Sequence, residues 1–284
     1  MSSKFLLTDV HNHTKFSADG RSPIEDMLKT AYEKGIAYYG ISEHFDYDYV
    51  VDGIPFYGEG DADLTDAEAY FARARELQKE YEGKMHVLVG GEYGFTTNPK
   101  AVPMYRALTE KYRPDFIVNS VHTEGTNDYY RRTPYYNADG SVRDKKEVYG
   151  HYFDLAKKSA EAEYDYDILA HLTYCIRYAP YEEKIATVRE FSAEIDGVLK
   201  AVIARKKILE VNSSNRGGAG AFVPSGEIVA RYYALGGRKI SYASDAHEVT
   251  RVADKRDTVI AALKEIGFTY LTVPCRGEHI EVEI

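Results

Sequence analysis

The sequence predicts an α/β fold in which a parallel β-sheet closes, or nearly closes, into a barrel surrounded by helices. Seven short apolar segments alternate along the chain with segments of helical period, which is the pattern of consecutive βα units. The 284 residues contain no long linker and no shift of composition, so one barrel domain over residues 1–284 fits better than two domains. An open, doubly wound sheet is the alternative, because the sequence does not show strand order.

The predicted strands are short apolar runs that lead into polar loops. They cover residues 5–7, 37–42, 86–90, 115–120, 168–170, 208–211 and 239–243. A terminal hairpin is expected over residues 268–284, with its turn near 274–277, where proline and glycine occur.

Helix signals separate these strands. Residues 22–25 (Ser-Pro-Ile-Glu) and residues 65–68 (Thr-Asp-Ala-Glu) both match a capping box at the start of a helix. Apolar residues at helical spacing predict a long helix from Ile185 to Val202. Further helices are expected after Pro99 and over residues 148–159, 228–235 and about 254–265.

Charge and composition argue against several classes of protein. The net charge of −9 argues against a duplex nucleic-acid binder, because such affinity comes largely from basic residues that meet phosphates. No apolar run approaches the roughly 20 residues that span a bilayer, and no signal peptide precedes the first strand. Cys175 and Cys275 form no Cys-x-x-Cys pair. We therefore expect a cytoplasmic protein that acts on a small molecule.

Candidate metal ligands follow the C-terminal ends of the predicted strands. They are His11, His13, His44, Glu92, His122, His171, Asp245 and His247, with Asp19 in the first loop. Active sites of parallel α/β folds form at this edge, because the connecting loops converge there. His86, His151 and His279 lie elsewhere and are taken as ordinary surface or packing residues. Six histidines at strand ends, together with two acids, predict a metal site.

The number of candidate ligands exceeds what one ion needs. A catalytic zinc takes about three protein ligands and a water molecule, so this set implies two or three ions. Imidazole and carboxylate ligands together favour zinc, manganese or iron over magnesium or calcium. A single carboxylate such as Glu92 can bridge two ions with a hydroxide between them as the nucleophile. That arrangement is typical of hydrolysis at phosphorus.

The order of these residues resembles the polymerase and histidinol phosphatase (PHP) superfamily, and within it most closely the monofunctional histidinol-phosphatases. The matching pattern is His11-x-His13, Asp19, Glu43-His44, Gly91-Glu92, His122, His171 and Asp245-x-His247. The resemblance covers nearly the whole chain. It implies a distorted, seven-stranded βα barrel with three metal ions at its C-terminal rim.

The resemblance also assigns the ligands to three ions. The first ion would be held by His11, His13, Glu92 and Asp245. The second would be held by Glu92, His122 and His171, and the third by Asp19, His44 and His247. Glu92 would then bridge two ions in catalysis. A metal-bound water molecule near Asp245 or His247 is one candidate for protonating the departing alkoxide, and the sequence does not choose the acid.

A phosphate monoester also needs cations that recognise it. Arg177, six residues after His171, and Arg216, after the sixth strand, are the candidates, and the resemblance includes an arginine in each loop. The guanidinium fork can bind two phosphate oxygens at once. Arg131 and Arg132 are further candidates that a solvated loop explains as well.

The function implied by the resemblance is hydrolysis of L-histidinol phosphate in histidine biosynthesis, by a phosphoric monoester hydrolase. Glu43, Asp46 and Glu124 remain open as acidic partners for the amine and imidazole of the leaving L-histidinol. The loop 46–63 is a candidate lid or substrate loop. The alternative is another phosphoesterase of the same superfamily, either a phosphodiesterase or nucleotidase or a generic phosphomonoesterase.

Overall fold

Seven parallel strands form one sheet in the computed structural model, which describes residues 7–55, 64–215 and 219–284. Within those residues, each strand pairs with the next one along the chain. The strands are β1 Leu7–Asp9, β2 Ile36–Phe45, β3 His86–Gly94, β4 Ile117–Ser120, β5 Ile168–Leu169, β6 Ile208–Asn212 and β7 Ile240–Ala243.

The two edges of the sheet meet through the segments that follow β1 and β7. The backbone N–H of His13 donates to the carbonyl of Ala246 at 2.8 Å, and that of Asp245 donates to the carbonyl of His11 at 2.9 Å. The sheet is therefore a nearly closed barrel, as the sequence predicted. In an open doubly wound sheet, the first strand would instead lie in the middle.

A helix follows each strand and covers the outside of the barrel, which explains why neighbouring strands are parallel. The helices are α1 Ile24–Glu33, α2 Tyr47–Asp52, α3 Ala67–Glu80, α4 Ala101–Tyr112, α5 Lys145–Ala160, α6 Ser192–Ala204, α7 Gly226–Ala234 and α8 Arg256–Ile266. On α1, for example, Met27, Leu28 and Ala31 are fully buried. Among the helices described, none has the length and apolar character that crossing a membrane requires.

Neither predicted capping box forms, because the hydroxyl groups of Ser22 and Thr65 make hydrogen bonds to other parts of the fold. The hydroxyl of Ser22 accepts the backbone N–H of Val249, and α1 has no side-chain cap. The hydroxyl of Thr65 donates to the carbonyl of Phe16, and Asp66 caps α3 instead. The positions of both helices were predicted correctly, but both capping residues were wrong.

The long helix predicted over residues 185–202 begins only at Ser192. The carbonyl of Ile185, which a helix would use for its own hydrogen bond, accepts from the side chain of Lys145 at 2.9 Å. Phe191 is buried immediately before the helix begins. The apolar spacing before residue 192 therefore reflects packing of an irregular segment rather than a helix.

A C-terminal hairpin closes the N-terminal end of the barrel. Its strands are β8 Tyr270–Cys275 and β9 Glu278–Glu283. Val273 and Val282 pack with Phe116 in a cluster separate from the main core. Asp115 fixes the hairpin by accepting from Nε of Arg276 at 2.7 Å. The site therefore lies at the other end, where the strands run into their loops.

Candidate metal centre

Glu92 lies near the end of β3, and its two carboxylate oxygens face different histidine pairs. Oε2 lies 3.2 Å from Nε2 of His11 and 3.3 Å from Nε2 of His13. Oε1 lies 3.3 Å from Nε2 of His122 and 3.1 Å from Nε2 of His171. One buried carboxylate thus connects two separate groups of imidazole nitrogens.

Asp245 completes the group that contains His11 and His13. Its Oδ1 lies 3.4 Å from Nε2 of His13 and 3.9 Å from Nε2 of His11. The two Nε2 atoms are themselves 3.1 Å apart. Since His11 and His13 follow β1 and Asp245 follows β7, closure of the barrel is what brings these residues together.

Asp19, His44 and His247 form a third group beside the first. Nε2 of His247 lies 2.9 Å from Oδ2 of Asp19, and Nε2 of His44 lies 3.7 Å from Oδ1 of the same carboxylate. The rings of His44 and His247 stack on the ring of His13, with centroids 4.2 and 4.3 Å away. The structure therefore brings all nine predicted ligands to one end of the barrel.

These donor atoms fit divalent metal ions. Ligands around a tetrahedral ion lie about 3.4 Å apart, because metal–ligand distances are about 2.1 Å. The separations around Glu92 are 3.1–3.3 Å. Nδ1 of His44 is buried 3.1 Å from Oε2 of Glu92, yet it forms no hydrogen bond with a described residue. The mixed imidazole and carboxylate set favours zinc, manganese or iron.

A cavity of about 580 Å³ opens beside these three groups. Arg177 lines it, at the end of a short 3₁₀ helix, and its side chain is buried. Its Nη2 donates to Oδ1 of Asn212 at 3.0 Å, and its Nη1 lies 3.5 Å from Oδ2 of Asp245. The ring of Tyr174 lies under the guanidinium at 4.9 Å. These contacts hold a cation next to the candidate metal ligands.

Of the other predicted arginines, Arg131 and Arg132 are described by the structure. Arg216 falls outside the described residues. Nε of Arg131 lies 3.4 Å from Oδ2 of Asp128, and Arg132 donates to the hydroxyl of Tyr136 at 2.9 Å. Neither Arg131 nor Arg132 is among the described residues that line the cavity. Arg131 also donates to the carbonyl of Pro55, outside the insertion after β4, and none of these contacts involves a candidate metal ligand.

The three acidic candidates for the leaving group differ in their surroundings. Glu43 is buried and accepts from Thr14 and Ser17, so it fixes the first loop, and it is not among the described residues that line the cavity. Glu124 accepts from the hydroxyl of Tyr129, pairs with His151 and is not among the described residues that line the cavity, so it is not a candidate for binding the leaving group. Asp46 lines the cavity. The segment 46–63 was predicted as a loop, but its residues 47–52 form α2, and residues 56–63 lie outside the described residues.

Glu210 on β6 is a part of the centre that sequence reasoning missed. Its buried carboxylate is 2.7 Å from Nδ1 of His11 and accepts from the backbone N–H of His171 at 3.0 Å and from Nδ2 of Asn212 at 2.8 Å. Because the carboxylate binds Nδ1 of His11, Nε2 of that ring faces Glu92. A charged residue within the apolar run 208–211 was the signal, since carboxylates are rarely buried without a partner.

Comparison with known proteins identifies the family. Residues 9–214 match the PHP domain model, which is more than half of the chain. The chain belongs to the PHP domain family. Seven of the nine clustered residues lie within the matched segment, and Asp245 and His247 lie beyond it.

Named relatives of this PHP domain protein match it over nearly their whole length. A probable histidinol-phosphatase of Clostridium acetobutylicum is 30% identical over 242 residues, which are 85% of this chain and 87% of the relative. A histidinol-phosphatase of Lactococcus lactis is 25% identical over 260 residues, 92% of this chain and 91% of that protein.

A solved structure shows the same fold. It is a histidinol phosphate phosphatase from Lactococcus lactis, complexed with zinc, L-histidinol and phosphate. Its sequence identity is 22%, the TM-score is 0.78, and the alignment covers 96% of this chain and 98% of that one. At this identity the likeness establishes that the two chains share their fold over almost their full length.

Glu210→Gln is expected to weaken metal binding to the PHP barrel. The amide keeps the shape but removes the charge that holds His11, and loss of such a partner costs about 10- to 100-fold in metal affinity or activity. Zinc titration of the two proteins measures the change, with Glu124→Gln as the control. Equal zinc affinity in wild type and Glu210→Gln would show that Glu210 does not support the centre.

Neighbouring carboxylates raise the pKa of two histidines of the PHP site, His13 and His122, so these two hold protons when no ion is bound. Burial would lower the pKa of His13, but hydrogen bonds to Asp245 and Glu92 raise it to about 10. Burial would also lower the pKa of His122, but the charge of Glu92 raises it to about 9. Burial would raise the pKa of Glu92, but the surrounding histidines hold it well below its usual range.

Metal binding is therefore expected to release protons and to strengthen as the pH rises. At neutral pH the protonated His13 and His122 must lose their protons before they can bind an ion, and above their pKa values of about 10 and 9 this cost disappears. Calorimetry of zinc binding in buffers of different ionisation enthalpy counts the protons released. A zinc affinity that is constant between neutral and alkaline pH would contradict this expectation.

Proposed function

We propose that this protein is a metal-dependent phosphatase that hydrolyses L-histidinol phosphate to L-histidinol and inorganic phosphate. The observation that carries the proposal is the carboxylate of Glu92, whose two oxygens face separate histidine pairs beside the buried Arg177. The relatives named histidinol-phosphatase support the choice of substrate, since they match nearly the whole chain. The Lactococcus lactis structure, with zinc, L-histidinol and phosphate, supports it further.

We assign the metal ligands as three groups. The first is His11, His13, Glu92 and Asp245; the second is Glu92, His122 and His171; the third is Asp19, His44 and His247. Two or three zinc, manganese or iron ions, when bound, supply a hydroxide nucleophile from water and neutralise charge on the phosphoryl oxygens. Glu92 contributes one oxygen to each of two groups, so it fixes their separation.

The arginines recognise the phosphoryl group. Arg177 presents its guanidinium from a position fixed by Asn212 and Asp245, and such a fork can bind two phosphoryl oxygens. We propose Arg216, from the loop after β6, as the second cation. Preorganised cations lower the barrier because charge on the phosphoryl oxygens is met without movement of the protein.

We propose that the leaving alkoxide receives its proton from a water molecule beside Asp245 and His247. Nδ1 of His247 lies 3.0 Å from the carbonyl of Asp245, and a carbonyl only accepts, so Nδ1 carries the proton. Nε2 of His247 is thereby left to face Asp19. The hydrogen bond to the carbonyl fixes the orientation of the ring, so Nε2 would be directed toward an ion held with Asp19 and His44.

We further propose that residues 1–284 form one catalytic domain that acts in the cytoplasm on a small phosphate monoester and not on nucleic acid. The net charge of −9 supports the exclusion of nucleic acid, and the free thiols of Cys175 and Cys275 fit a reducing compartment.

A substrate panel tests the proposed function. The protein, reconstituted with zinc, manganese or iron, is assayed on L-histidinol phosphate, p-nitrophenyl phosphate and a dinucleotide. We expect kcat/KM for L-histidinol phosphate to exceed that for the generic ester by at least about tenfold, because a site built for polar groups rejects analogues that lack them. Faster cleavage of the dinucleotide would instead support a phosphodiesterase of the same superfamily.

A further inference from the structure

Asp46 is an acidic residue that lines the cavity, and one of its two carboxylate oxygens lacks a hydrogen-bond donor among the described residues. It immediately precedes α2, two residues after His44, and its side chain is 22% exposed. Its Oδ1 is buried, forms no hydrogen bond with any described residue and lies 3.7 Å from Nδ1 of His44. A buried acceptor without a hydrogen-bond donor destabilises the protein, and a ligand that donates a hydrogen bond removes this cost.

The cavity around Asp46 suits a cation. Tyr49, Tyr130, Tyr174 and Tyr178 line it together with Asp46. The ring of Tyr178 lies 5.6 Å from that of Tyr174 and 5.3 Å from that of Tyr130, so the three rings form a continuous aromatic wall. Aromatic faces attract ammonium groups, and a carboxylate adds a charge-assisted hydrogen bond.

The competing role for Asp46 is metal binding. Its carboxylate lies within 4.8 Å of nitrogen atoms of both His44 and His122. Those two histidines, however, already face other carboxylates at short range, with Nδ1 of His44 at 3.1 Å and Nε2 of His122 at 3.3 Å from Glu92. Asp46 thus remains as an extra acid beside three groups that are complete without it.

We propose that Asp46 determines specificity by binding the ammonium group of the leaving alcohol, so that the enzyme prefers phosphate esters of 2-amino alcohols. This inference rests on the proposed phosphatase function. In such an ester the ammonium sits on the carbon next to the ester carbon, so it stays close to a phosphoryl group bound between the candidate metal ligands and Arg177. The Asp46 carboxylate accepts from the ammonium, and no proton transfer is required.

The test compares two substrates that differ only in this ammonium. They are L-histidinol phosphate and 3-(imidazol-4-yl)propyl phosphate, assayed with wild type, Asp46→Asn, Asp46→Glu and the control Glu124→Gln. We expect Asp46→Asn to lower kcat/KM for L-histidinol phosphate about 10- to 100-fold, the range of one charged hydrogen bond. Its kcat/KM for the second ester should stay within about twofold of wild type, because that ester never uses Asp46.

Two further measurements, of metal content and of the Asp46→Glu variant, distinguish substrate binding from metal binding. Metal content should be equal in wild type and Asp46→Asn, and Asp46→Glu should recover part of the preference because it restores the charge. Equal losses on both esters, with loss of metal, would show that Asp46 is a metal ligand and would overturn the inference. Unchanged kcat/KM on both esters would overturn it too. If wild type hydrolyses neither ester, the proposed phosphatase function itself fails.

Discussion

Glu92→Gln is expected to abolish phosphatase activity while the barrel stays folded. Glutamine keeps the size of the side chain but removes the negative charge that two histidine pairs face through different oxygens. We expect kcat to fall by more than about a hundredfold, because loss of an outer partner alone costs about 10- to 100-fold. Phosphate release from L-histidinol phosphate measures activity, and elemental analysis measures the metal retained.

The control for Glu92→Gln is Glu124→Gln, which removes a carboxylate charge from the insertion after β4. Glu124 contacts Tyr129 and His151 and is not among the described residues that line the cavity. Circular dichroism checks that both variants remain folded. A folded Glu92→Gln protein with wild-type kcat and full metal content would contradict the role that we assign to Glu92.

Arg177→Ala is expected to raise KM for phosphate monoesters and to lower kcat/KM about 10- to 100-fold, since hydrogen bonds to a charged group contribute roughly 1.5–3 kcal/mol. Arg177→Lys should fall between wild type and alanine, because it keeps the charge but loses the fork that Asn212 and Asp245 orient. Steady-state kinetics on L-histidinol phosphate separates the two effects.

Arg131→Ala serves as the matched control for Arg177, because Arg131 pairs with Asp128 in the insertion. Its KM should equal that of wild type. Arg216→Ala tests the second proposed cation in the same assay and should also raise KM. If KM is unchanged in Arg177→Ala, this arginine does not bind the phosphoryl group.

The alternation of strands and helices could be predicted, because the two kinds of element differ in length and in the spacing of their apolar residues. Closure was predicted only from the length of the chain and the number of βα units, because the sequence does not show the backbone bonds between distant segments that close the barrel, such as that from Asp245 to His11. Local signals failed where tertiary contacts compete with them. The hydroxyl of Ser22 accepts from Val249 rather than capping α1, and Lys145 takes the carbonyl of Ile185, where a longer helix was predicted.

The candidate site was more predictable than the helix ends, because parallel strands place their C-terminal ends at one edge whatever the details of the loops. This rule brought His11, His122 and Asp245 into one list although they are far apart in sequence. It did not find Glu210, which lies within a strand and supports His11 from the side away from Glu92. The same rule could not distinguish the cavity-lining Asp46 from Glu43, which fixes the first loop, because both lie within two residues of His44 in the sequence.

The most direct test of the central claim is phosphate release from L-histidinol phosphate by metal-depleted protein as zinc is added back. The two histidine pairs around Glu92 form two groups of ligand atoms, each of which can hold one ion. We therefore expect no turnover without metal, and full turnover only once at least two zinc ions are bound per chain. Undiminished turnover by the metal-depleted protein would contradict the account.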